Sequence, residues 1–155
     1  MDPATDRRNG NIFLWANLLV YLGAPVRYIG ITQAALCDKL GASAAVANLP
    51  TTGYFFACFA PIFVACLVPH RWERGMVVAT SWLVAILMAV VTAAMLLPVD
   101  NSLRVDIAVG QALLVGLLNS VQQVYLMQCL GRGTTEAGRA RALKLAFTFG
   151  TESSK

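Results

Sequence analysis

Residues 75–99 read GMVVATSWLVAILMAVVTAAMLLPV and contain no Asp, Glu, Lys or Arg. A helix rising about 1.5 Å per residue needs about 20 predominantly apolar residues to cross about 30 Å of hydrocarbon, and this run is long enough. Residues 40–70 and 107–131 are likewise free of those four residue types. Over the whole chain of 155 residues, 57% are hydrophobic and 13% charged, with a mean hydropathy of +0.64. Soluble domains are about a quarter charged, so the composition excludes both a disordered chain and an ordinary water-soluble globule. A transmembrane β-strand needs only about 9–11 residues and alternates in polarity. These runs are continuous and rich in Ala, Leu and Val. The reading is an all-α integral membrane helical bundle.

Working outward, four transmembrane helices are expected at about residues 12–36, 44–68, 76–97 and 107–130, within one membrane domain covering 1–155. The first is interrupted by Arg27. A further apolar stretch, 142–150, is too short to span. It reads either as the start of a truncated fifth helix or as an interfacial segment with Arg139, Arg141 and Lys144 at the headgroups. The polar first ten residues and the length of the run after them argue against a cleaved secretory signal. Arg7, Arg8, Arg71, Arg74, Arg132, Arg139, Arg141 and Lys144 fall on one side of this topology, and Lys39 and Arg104 on the other. The excess of positive charge places the N-terminus in the cytoplasm of a plasma (inner) membrane. The net charge of +4 then reports topology and contact with anionic lipid, not nucleic-acid binding, which would need a basic face on a soluble fold.

Small residues recur at steps of four in three spans: Gly53, Ala57, Pro61 and Ala65; Ser81, Ala85, Ala89 and Ala93; Ala108, Ala112, Gly116 and Ser120. Such stripes let helix backbones approach closely in lipid. Pro50 and Pro61 within the second span read as kinks that fit the bundle, or as a hinge.

Arg27 is costly inside a span, at about 2.5–3.5 kcal/mol on insertion scales. Two readings stand: contact with an anionic group of a small-molecule solute, or snorkelling to the headgroups. Asn17, Tyr21 and Tyr28 share its helix and one face of it. On the fourth span Gln111, Asn119 and Gln122 cluster on one side. Helices one and four are therefore the expected walls of a polar pathway, unless these groups simply bond helix to helix. No acidic residue lies in mid-membrane, so the chain offers no proton relay. Cys37, Cys58, Cys66 and Cys129 lack metal-ligand spacing, and there is one histidine. Neither an enzyme, nor a cofactor, nor a metal site is expected.

Several of these features resemble the N-terminal part of a major facilitator superfamily transporter. The stretch 38–43, DKLGAS, is similar to the family's first outer connection, and 136–140, EAGRA, to the segment leading into its fifth helix. When the signature G-x-x-x-D-R-x-G-R-[RK] is laid from Cys66, Arg71 and Arg74 match. The resemblance implies an alternating-access carrier of a small solute, built from two halves with the substrate between them. It implies an inner-loop gating role for Arg71 and Arg74, and a chain that transports only together with its missing C-terminal half. The alternative is a complete four-helix membrane scaffold that binds a partner.

Overall fold

The computed structural model describes residues 2–27 and 31–152, with the side chains at 21, 23–27, 31, 65, 70 and 149–152 outside the description. Among the described residues the chain is helical apart from short turns, with no strand. Its elements are α1 (Pro3–Arg27), α2 (Ile31–Lys39), α3 (Ala44–Ala57), α4 (Ala60–Leu67), a 3-10 turn (His70–Trp72), α5 (Glu73–Leu96), α6 (Asn101–Gly133) and α7 (Glu136–Glu152).

Among the described residues three helical segments are long and apolar enough to cross a membrane, Ala44–Val64, Glu73–Leu96 and Asn101–Gly133, so a count of four spans is not supported. The expected first span at 12–36 is not among them. Helix α1 begins in the polar segment carrying Asp6, Arg7 and Arg8 and stops at Arg27. Its described apolar part, from Ile12 to Arg27, is about 22 Å long, short of the hydrocarbon thickness. Residues 31–36 of that expected span belong to the nine-residue α2. The segment expected at 142–150 starts earlier, as α7 opens at Glu136 and carries Arg139, Arg141 and Lys144.

The chain divides into two compact units, residues 1–27 with 126–155, and residues 28–125. In the second unit α2 ends in a Schellman turn. Gly41, at φ 87°, donates its N–H to the Asp38 carbonyl, and the Ala42 N–H reaches the Cys37 carbonyl. Only a residue without Cβ adopts that φ at no cost, and the turn folds α3 back onto α2. Ser43 then caps α3, accepting from the Val46 N–H.

Helix α6 is the axis of this unit. Its Val105 and Ala108 pack with Cys37 and Ala47, and one turn further Ala112 and Val115 meet Tyr54, Leu87 and Met88. At Gly116 the backbones of α3 and α6 touch: a Cβ there would stand 2.6 Å from the Tyr54 carbonyl oxygen. The small-residue stripe of α6 is thus the buried one, whereas Ala85, Ala89 and Ala93 of α5 are exposed. The α-helical bonding is interrupted at Cys58–Phe59, whose backbone stays in the right-handed helical region, and Pro61 sits in the first turn of α4, where no intrahelical N–H is needed. Phe55, Phe56, Phe59, Phe63, Trp82 and Ile86 all point outward. In lipid such apolar exposure carries no penalty, and the polar side chains turn inward.

The first unit is built on α1 and α7 running side by side in the same direction. Asp6 meets Thr135, and one turn later a Cβ on Gly10 would touch Ala142. Asn9 donates to the Gly133 carbonyl at 2.6 Å, and Arg139 closes the α6–α7 elbow by donating to the Gly131 carbonyl at 2.5 Å.

Candidate functional site

The feature of the second unit with chemical content is the row of amides along α6. Gln111, Asn119 and Gln122 lie over about three turns of that helix. Each is engaged by another element. Gln33 of α2 donates through Nε2 to Gln111 Oε1 at 2.9 Å, and Gln111 Nε2 reaches Met88 Sδ of α5 at 3.2 Å. Asn119 Nδ2 donates to the Tyr54 hydroxyl of α3 at 3.1 Å. Gln122 Nε2 donates to Ser81 Oγ of α5 at 2.7 Å, and that hydroxyl donates its own proton to the Val77 carbonyl at 2.7 Å. Gln33, Gln111 and Gln122 are all buried.

Gln33, Gln111, Asn119 and Gln122 each donate once, and several of their acceptor oxygens receive nothing. Gln33 Oε1, Asn119 Oδ1 and Gln122 Oε1 are buried without a hydrogen-bond partner. A carbonyl oxygen left without a donor in the interior costs about 1–3 kcal/mol, so each presents an unmet demand for an O–H or N–H. The row carries no charge. It can accept hydrogen bonds from water or from a neutral or cationic donor. Among the described residues no group of three or more His, Cys, Asp or Glu side chains could hold a metal.

Of the residues singled out from sequence, Asn119 and Gln122 sit three residues apart in this row. Asn17 is buried on α1 and belongs to the other unit. Tyr21 and Arg27 have side chains outside the described residues, and Tyr28 lies wholly outside them. Arg71 is exposed in the 3-10 turn and Arg74 is exposed in the first turn of α5. Sequence reasoning missed Gln33 and Tyr54. Gln33 was hidden because it fell inside an expected apolar span, although a lone amide six residues from Arg27 was a visible signal. Tyr54, beside Phe55 and Phe56, reads as one aromatic among several until its hydroxyl is seen against Asn119. Thr80 and Ser81 do bond to backbone carbonyls one turn earlier, as their hydroxyls allow.

The Tyr54–Asn119 contact gives a direct measurement. In a double-mutant cycle of Tyr54→Phe and Asn119→Leu, unfolding in mixed micelles is expected to show a coupling of about 0.6 kcal/mol, the usual size for such a bond in a membrane protein. Additive effects would show that the contact contributes nothing.

Fold and site together define a helical membrane bundle with an amide-lined interior. The chain matches no family model, no curated protein and no solved structure.

Proposed function

We propose that this chain is a membrane-embedded module of a secondary transporter for a small polar solute, with its N-terminus in the cytoplasm. The reading rests on the buried acceptor oxygens of Gln33, Asn119 and Gln122, which lack donors. A hydrated or solute-lined path supplies such donors, and a dry bundle does not. In this reading α6 forms a pathway wall, and Arg27, Asn17, Tyr21 and Tyr28 supply polar groups from the first part of the chain. Arg71 and Arg74 lie at the cytoplasmic gate. The loop stretches similar to the major facilitator superfamily, and the bias of Lys and Arg to one side, support the same proposal.

One observation favours a second reading, a membrane scaffold. The bonds Gln33–Gln111, Tyr54–Asn119 and Ser81–Gln122 tie helix to helix and suit a bundle whose polar groups serve only its own packing. The intact native polypeptide, isolated from its membrane and sized together with its reading frame, separates the two. The transporter reading requires further spans in the same polypeptide, enough to build a second half. A native chain ending at Lys155 overturns the transporter reading.

A further inference from the structure

The α1–α7 pair encloses a cleft that the transporter reading does not use. It has a volume of about 340 Å³. Because the two helices run in the same direction, its lining is graded along its length. Towards one end stand Asp6 and Arg7 of α1 with Gly138 of α7, Arg141 follows about a turn further along α7, and Leu14 and Leu145 stand at the other end. The Asp6 carboxylate is already committed: Oδ1 accepts from the Thr135 N–H at 2.6 Å and Oδ2 from the Thr135 hydroxyl at 2.9 Å. Arg7 and Arg141 are both exposed, so their guanidinium groups are accessible to a ligand. Two arginines and one aspartate are the charged residues of the lining, so the cleft is net positive.

We infer that this cleft binds the headgroup of an anionic phospholipid, with the phosphate between Arg7 and Arg141 and the first methylenes along Leu14 and Leu145. Three features select that occupant. Guanidinium groups bind phosphate through paired hydrogen bonds, and basic pockets between helices hold anionic lipid headgroups. The cleft volume suits a headgroup rather than a whole lipid. The cleft ends on Leu14 and Leu145, an apolar lining suited to the start of an acyl chain. A free anion would gain nothing from that gradient, whereas an amphiphile matches both ends.

The test is native mass spectrometry of the full chain in detergent micelles, titrated with dioleoyl phosphatidylglycerol, dioleoyl phosphatidylcholine and soluble glycerol 3-phosphate. At about one kcal/mol per arginine near the headgroup, phosphatidylglycerol should bind roughly thirtyfold more tightly than phosphatidylcholine. Arg7→Gln with Arg141→Gln should reduce phosphatidylglycerol to the phosphatidylcholine level, while Lys39→Gln leaves it unchanged. Circular dichroism reports whether the double variant stays helical. The unmodified chain gives an independent readout, a preference for phosphatidylglycerol that falls as salt is raised. Equal binding of the two lipids, full binding by the double variant, or glycerol 3-phosphate binding as tightly as the lipid would each overturn the inference.

Discussion

Gly116→Ala is expected to destabilise the bundle by about 2 kcal/mol, although alanine is the better helix former. The added methyl would stand 2.6 Å from the Tyr54 carbonyl oxygen and 2.9 Å from its Cα. Both are backbone atoms of α3, so no side-chain rotation relieves the clash. The helices must separate, and with them goes the packing of Ala112 and Val115 against Tyr54, Leu87 and Met88. Helix–helix association in lipid depends on such close contact because apolar burial contributes little there. Gly110 is the internal control. It lies on the same helix, and a methyl there would meet nothing within 4 Å, so Gly110→Ala should raise stability by up to about 1 kcal/mol through helix propensity alone. Unfolding in mixed SDS and maltoside micelles measures both. If the two variants shift in the same direction by similar amounts, the backbones of α3 and α6 do not touch at Gly116.

The second large effect is expected at Asp6. Its carboxylate accepts from the N–H and the hydroxyl of Thr135, while Thr135 Oγ1 accepts from the Gly138 N–H as the cap of α7. A negative charge at the start of α7 also meets the positive end of the helix dipole. Asp6→Ala should therefore loosen the start of α7 by about 1–3 kcal/mol, the usual range for hydrogen bonds involving a charged group. The readout is faster hydrogen exchange and faster protease cutting across residues 131–141. Thr135→Ala should act in the same direction, and the pair together should cost less than the sum because both remove one contact. Gly138→Ala should resemble them, since its methyl would collide with both Asp6 oxygens. Unchanged exchange in Asp6→Ala would show that α1 does not hold α7.

The helical class and the spans carried by α3–α4, α5 and α6 were legible because the absence of charge over such lengths leaves few alternatives. The boundaries at Glu73 and Asn101 lay a few residues outside the apolar runs, since a helix continues through polar turns wherever its backbone bonds persist. The expected first span at 12–36 is the one that the described residues do not support. It is a single apolar stretch in the sequence, and its described parts are α1 up to Arg27 and α2 from Ile31. For the site, Asn119 and Gln122 stood out as amides in an apolar helix. Their partners could not be read in advance. Tyr54 lies 65 residues from Asn119 and Ser81 lies 41 from Gln122, and no local pattern encodes those meetings. The Asp6–Thr135 contact, 129 residues apart, was hidden for the same reason.

The sequence by itself determined that the backbone is helical and that most of it carries apolar side chains. Both follow from local composition, because in hydrocarbon an unbonded peptide group is costly and only a continuous apolar helix avoids the cost. Tertiary structure decided which small residue permits contact, with Gly116 touching α3 while Ala85 and Ala89 face outward. It also decided which amides are spent on neighbouring helices and which oxygens remain without donors. Those outcomes depend on how helices rotate and pair, and helical periodicity places residues on a face without saying what that face will meet.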